Sequence, residues 1–86
     1  MTYTEVEATV KEVLAKQLTM DAGKINLDSR LVEDLGIDSF GSVEVAFELE
    51  EKFDIKIPDA ALYEAKTVKQ IVDYIDAQKN AVKEGK

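Results

Sequence analysis

Ser39 is the residue whose chemistry its neighbours best prepare. It follows Asp38, a good helix N-cap, which in turn follows Gly36-Ile37. Ser39 then falls at the first helical position, where backbone N–H groups lack intrahelical acceptors and the helix dipole is positive. A phosphate esterified to its hydroxyl would be held there as an anion. Activation of Ser39 as a nucleophile is a different matter. The chain has no His and no Cys, so Ser–His catalysis, histidine proton shuttling, thiol nucleophiles, disulfides and zinc sites are all excluded. Gly36-Ile37-Asp38-Ser39-Phe40-Gly41 also lacks the Gly-x-Ser-x-Gly spacing of a hydrolase elbow. Neither Asp21-Ala22-Gly23 nor Asp28-Ser29-Arg30 opens an EF-hand with glycine at its sixth position, so no metal site is expected beyond weak surface binding of Ca²⁺ or Mg²⁺. Taken alone, an Asp-Ser pair at a helix start is an ordinary capping sequence.

The elements that would position Ser39 are helical. Val6, Val10, Val13, Leu14 and Leu18 share one helix face, and Thr2 with Glu5, or Thr4 with Glu7, fits a capping box at its start. Val68, Ile71, Val72, Ile75 and Val82 form a second such face, opened by Thr67 with Gln70. Between them, Pro58 ends one element and Asp59 can cap a short helical turn through Tyr63. Ile55-Lys56-Ile57 is too short to found a sheet. The stretch 19–37 is long for a connection and should be pinned to the core by Ile25, Leu27, Leu31 and Leu35. The expected architecture is an all-α four-helix bundle: three longer helices, one short third helix and a long first loop, in a single domain over 1–86 whose last residues, from about 80, form a flexible tail.

The middle helix, running from Ser39 to about Phe53, carries two apolar stripes. At about 100° per residue, Val45, Ala46, Leu49 and Phe53 share one side, while Phe40, Val43 and Phe47 share the opposite one. Glu44, Glu48, Glu50 and Glu51 flank the second stripe. The long loop or the short helix could cover that stripe, but burying four unpaired carboxylates beside it is costly. An apolar strip rimmed by glutamates suits a docking face for a partner that surrounds an apolar patch with basic residues.

Composition agrees with a binding role. Hydrophobic residues are 45% of the chain, enough for a core, and the net charge is −7. The excess is densest between residues 38 and 58, with six acids against two bases. Such a surface repels nucleic-acid phosphates and anionic lipid and attracts basic protein surfaces. The longest apolar run, Ala60–Tyr63, is far short of a membrane span, and no secretory signal is expected at the N-terminus. The expectation is a small cytoplasmic monomer that is not an enzyme.

Leu35-Gly36-Ile37-Asp38-Ser39-Phe40, then Val43-Glu44, then Leu49-Glu50-Glu51-Lys52-Phe53-Asp54-Ile55-Lys56-Ile57-Pro58-Asp59, resembles the acyl carrier proteins. Their pattern is Gly-x-Asp-Ser-[Leu/Met] at the second helix and Glu-Glu-x-Phe-x-Ile-x-[Ile/Val]-Pro-Asp at its exit. The similarity continues through Thr67–Ile75 and spans about Val6 to Ile75. The resemblance implies that Ser39 takes covalent 4′-phosphopantetheine from coenzyme A through a phosphopantetheinyl transferase (holo-acyl-carrier-protein synthase). It implies acyl groups carried as thioesters on that arm to the enzymes of fatty acid, lipid or polyketide-type biosynthesis. It further implies that partner Arg and Lys residues grip Asp38, Glu44, Glu50 and Glu51 around Phe40, Val43 and Phe47. Departures are Gly41 and Lys52 where acids are common, Phe40 for Leu or Met, Phe47 for Met, and Ala65 where Ile often lines the acyl pocket. These departures suggest a carrier that serves a dedicated pathway. Asp38-Ser39-Phe40-Gly41-Ser42 is also similar to the Asp-Ser-Met-Gly-Thr of D-alanyl carrier proteins, although the exit pattern fits the fatty-acyl branch better. The alternatives are thus a D-alanyl, aminoacyl or peptidyl carrier, or an acidic helical interaction domain with Ser39 unmodified.

Overall fold

The computed structural model describes residues 2–58, 61 and 64–84, the side chains of 80–84 excepted. Three α-helices carry the fold: α1 (Tyr3–Leu18), α2 (Ser39–Phe53) and α3 (Val68–Glu84). Each begins where the sequence supplies a cap. Thr2 Oγ1 accepts from Glu5 N–H at 3.2 Å, and Glu5 Oε1 accepts from Thr2 N–H at 2.9 Å, which selects the first of the two expected capping boxes. At α3, Gln70 N–H donates to Thr67 Oγ1 at 3.4 Å, and Gln70 Oε1 accepts from Thr67 N–H at 3.2 Å. α1 and α2 end on residues in the left-handed region, Thr19 at φ 54° and Asp54 at φ 56°.

The buried set matches the periodicity of all three helices. Val6, Val10, Val13 and Leu14 of α1 meet Val45, Ala46, Leu49 and Phe53 of α2 and Val68, Ile71, Val72 and Ile75 of α3. Among the described elements α1 is the hub, packing on both α2 and α3. No polar or charged side chain is buried among the described residues, so the core is held by apolar burial alone. Nor is any described helix long and apolar enough to cross a membrane.

The first loop is pinned as its pattern suggests. Ile25, Leu31 and Ile37 are buried, and Leu27 and Leu35 pack against the core. Two features were not foreseen. A short 3₁₀ turn, Ala22–Lys24, is capped by Asp21 Oδ1 accepting from Gly23 N–H at 3.0 Å. The loop is also laced to the start of α3. Lys66 carbonyl accepts from Leu31 N–H at 2.9 Å, Ser29 carbonyl from Val68 N–H at 3.1 Å and Leu27 carbonyl from Lys69 N–H at 2.9 Å. Two of the first-turn N–H groups of α3 thus find acceptors outside the helix, as helix starts require. The resulting Arg30–Thr67 bridge is isolated, and the described residues contain no strand.

Of the expected short third helix, only Ala61 and Glu64 are described, both with helical backbone. Asp59, its expected cap, lies outside the described residues, as do Ala60, Leu62 and Tyr63. The backbone of α3 continues as helix beyond Asn80 to Glu84, into the segment read as tail, while the side chain of the expected core residue Val82 lies outside the described residues.

Two polar ties fasten the helix ends. Lys79 of α3 donates to the Phe53 carbonyl at 2.8 Å, placing a cation at the C-terminal end of α2. Lys79→Met keeps the aliphatic stem and removes that donor. It should cost about 1 kcal/mol and lower Tm by roughly 4–8 °C in a thermal melt. At the other end, Tyr3 Oη donates to Asp73 Oδ1 at 2.6 Å and Lys69 Nζ donates to Asp73 Oδ2 at 2.8 Å. Lys69 and then Tyr3 hold the Asp73 carboxyl below its usual range. The bond to Asp73, helped by loss of solvent, pushes the Tyr3 phenol up to about 12. A raised folded pKa contributes stability that is complete below the unfolded value of 10.0 and is lost as pH rises towards about 12. The lowered Asp73 acts in the opposite sense, contributing above 3.8 and losing its effect as pH falls below that value. Tyr3→Phe should therefore flatten the decline of stability between pH 10 and 12, read by denaturant melts. An unchanged slope in the variant would show that the tie to Asp73 is not its source.

Candidate functional site

Asp38 is the N-cap of α2, with φ −95° and ψ −176°, and its Oδ1 accepts from Gly41 N–H at 2.7 Å. Gly36, at φ +72°, turns the chain into this cap with a backbone that side chains rarely adopt. The first helical hydrogen bond, from Ser42 N–H to the Asp38 carbonyl at 2.9 Å, follows directly. With Gly41 N–H taken by the cap, the N–H groups of Ser39 and Phe40 point to no acceptor among the described residues. Ser39 is exposed. Its hydroxyl has no hydrogen-bond partner among the described residues, whereas Ser42 Oγ donates to the Asp38 carbonyl at 3.0 Å. The two hydroxyls differ in availability although they lie on the same turn.

Beside Ser39 opens a cleft of about 330 Å³, lined by Leu31, Val32, Ile37, Asp38, Ser42 and Ala65. Its floor is apolar because Leu31 and Ile37 belong to the core. Ala65, with its short side chain, helps to line it. These features fit a covalently attached phosphopantetheine. An accessible hydroxyl can carry the phosphodiester, two first-turn N–H groups and the helix dipole favour the anion, and an open cleft runs alongside.

The outer stripe of α2 stands in solvent. Phe40 is 71% exposed, Phe47 63% and Val43 46%, so neither loop nor short helix covers it among the described residues. The glutamates beside it divide into two groups. Glu51 is exposed, and Glu44 is exposed with its Oε1 accepting from Gln17 Nε2 at 2.9 Å. Glu48 and Glu50 are half-buried. Lys16 Nζ lies 3.5 Å from Glu48 Oε2, a weak pairing on the surface. Glu50 Oε2 accepts from Ile57 N–H at 2.7 Å, which ties the chain leaving α2 back to that helix. The exposed carboxylates on this side of α2 are therefore Asp38, Glu44 and Glu51, while Glu50 serves the fold. The sequence reading missed this because a carboxylate seven residues from its N–H partner leaves no local pattern. Between α1 and α2 a groove of about 300 Å³ borders Val43 and Phe47.

Comparison with known proteins agrees with the geometry. The family described as the phosphopantetheine attachment site matches residues 8–75, which makes this a phosphopantetheine-carrying domain. Acyl carrier protein of Helicobacter hepaticus is 48% identical over 71 residues, covering 83% of this chain and 93% of that protein. Acyl carrier protein of Campylobacter jejuni subsp. doylei is 43% identical, covering 78% and 87%, and that of Onion yellows phytoplasma is 48% identical, covering 77% and 87%. The chain belongs to the acyl carrier protein family, whose members are carriers rather than enzymes.

Proposed function

We propose that Ser39 is the attachment point of 4′-phosphopantetheine and that the outer face of α2 presents the loaded arm to partner enzymes. The observation that carries the reading is the position of Ser39, exposed at the first turn of α2 with unpartnered N–H groups and an open cleft beside it. When bound, the arm supplies the thiol that this chain lacks, and acyl groups are carried on it as thioesters. The protein's own contribution is positional. Asp38 commits its carboxylate to Gly41 N–H and so fixes the turn that presents Ser39. As the Ser39 Oγ–phosphorus bond forms, the pyrophosphate of coenzyme A breaks and adenosine 3′,5′-bisphosphate leaves. The Ser39 proton passes to a base of the transferase, because the neighbouring Asp38 carboxylate is engaged by Gly41 N–H. Phe40, Val43 and Phe47 offer apolar contact, and Asp38, Glu44 and Glu51 offer charge to a basic partner surface. The partners are a phosphopantetheinyl transferase and the acyl-transferring and synthase enzymes of fatty acid and related lipid biosynthesis. Incubation with coenzyme A, Mg²⁺ and a phosphopantetheinyl transferase tests this reading. Intact mass should rise by one phosphopantetheine, with fragmentation locating it on Ser39. A rise located on any other residue, or none, overturns the assignment.

A further inference from the structure

Among the described residues a fourth large apolar side chain stands in solvent, and it is not on α2. Val32, in the first loop, is 68% exposed. Its place is rigidly set. Leu31, one residue before it, is buried, and the Leu31 backbone is tied at both groups: its N–H donates to the Lys66 carbonyl at 2.9 Å and its carbonyl accepts from Ile37 N–H at 2.9 Å. The Val32 carbonyl accepts from Gly36 N–H at 3.0 Å. Arg30 closes the same turn, its carbonyl accepting from Asp34 and Leu35 N–H at 2.9 and 3.0 Å. Asp34 Oδ2 in turn accepts from Arg30 N–H at 2.8 Å, and that N–H together with the guanidinium holds the Asp34 carboxyl below its usual range. An apolar side chain held outward by this many bonds needs little further ordering on contact.

Val32 and Ser39 line the same cleft. Phe40 instead borders a second hollow of about 210 Å³, with Asp38 and Ile37 common to both. Val32 and the α2 stripe thus lie on different sides of the Asp38–Ser39 turn. An enzyme that transfers a group to Ser39 Oγ must bring its reacting atoms to about 3 Å from that oxygen. A specific interface buries roughly 800 Å² on each partner, a disc of roughly 16 Å radius. On a body of 38 × 25 × 19 Å, such a patch centred on Ser39 extends beyond α2 on the cleft side. There it meets Val32, with the exposed carboxylates of Glu33 and Asp34 beside it, two acids around the single cation of Arg30 at 3.7 and 3.4 Å.

We propose that Val32 is a second apolar anchor for the phosphopantetheinyl transferase, so that the enzyme straddles Ser39 between the first loop and α2. The inference rests on Ser39 being the modified residue. The occupant is a protein surface that pairs an apolar patch with basic residues, complementary to Val32 and Phe40 set among Glu33, Asp38 and Glu44.

The test compares Val32→Ser and Val32→Leu with the unaltered protein, using purified phosphopantetheinyl transferase, coenzyme A and mass-detected modification. In parallel, Kd for the transferase is measured on the same variants carrying Ser39→Ala. Val32→Ser should lower kcat/KM about tenfold through KM and weaken Kd to match, with Tm unchanged, because little of its side chain is buried. Val32→Leu should stay near the unaltered protein. Unchanged kcat/KM and Kd in Val32→Ser would sink the proposal while leaving Ser39 assigned, provided the unaltered protein is modified. Absence of modification in the unaltered protein sinks both readings. Loss of self-association in Val32→Ser, with transferase kinetics intact, would assign Val32 to a second copy of this chain and also overturn the proposal.

Discussion

Ser39→Ala is expected to abolish modification, leaving the intact mass of the protein unchanged after prolonged incubation with coenzyme A and a phosphopantetheinyl transferase. Carrier activity should go with it, because the chain has no Cys to offer a substitute thiol. The fold should not change. Ser39 is exposed, its hydroxyl bonds to no described residue, and alanine is a good helix former, so stability should move by no more than about 0.5 kcal/mol. Ser42→Ala is the matched control. It removes a hydroxyl three residues on, one that is tied to the Asp38 carbonyl at 3.0 Å, and modification should proceed. Asp38→Ala separates positioning from attachment. It leaves the Ser39 hydroxyl in place but frees Gly41 N–H, at a cost of about 1 kcal/mol to the helix start, and should slow modification without eliminating it. If the Ser39→Ala protein still gains the prosthetic mass, the attachment point lies elsewhere and the site must be redrawn.

Helix faces and caps were legible in the sequence because both are local. The 3.6-residue period sorted Val45, Ala46, Leu49 and Phe53 from Phe40, Val43 and Phe47, and burial divides them the same way. Asp38, Thr2 with Glu5, and Thr67 with Gln70 were identifiable as caps since each acts within three or four residues. Position Ser39 alone admitted an ordinary reading; the family pattern around it made the difference. Most of what could not be seen depends on contacts that reach beyond one helical turn. Glu50 looked like one more rim glutamate, yet it caps Ile57 N–H. Nothing local marks Lys79, which reaches the Phe53 carbonyl from 26 residues away. Val32 had no period to mark it, because its exposure follows from the burial of Leu31 and from the lacing of the first loop to α3. The 3₁₀ turn at Ala22–Lys24 was missed because three residues are too few to show a period.

The distinction between rim and structural glutamates yields the second large effect. Glu44→Lys and Glu51→Lys place a cation where a basic partner surface is expected, one turn from Phe40 and one turn from Phe47 respectively. Both carboxylates are exposed, and neither bonds to a backbone group among the described residues, so Tm should change little. Transferase association should fall by about tenfold or more at low salt, since rim charges act mainly on encounter and orientation. The loss should shrink near 0.15 M salt, where the screening length is about 8 Å. Glu50→Lys should behave differently. It removes the acceptor from Ile57 N–H and leaves that partly buried donor unpaired, costing about 1–3 kcal/mol. Its first effect is a lower Tm, and it would appear at every salt concentration. Glu50→Gln keeps an acceptor oxygen and should recover much of the stability, although the bond loses its charge. Thermal melts and stopped-flow association at two ionic strengths separate these cases. Equal Tm losses in all three charge reversals would mean that the rim carboxylates are structural. Equal kinetic losses with no change in Tm would mean that Glu50 docks partners as Glu44 and Glu51 do, and that its bond to Ile57 contributes nothing measurable to the fold.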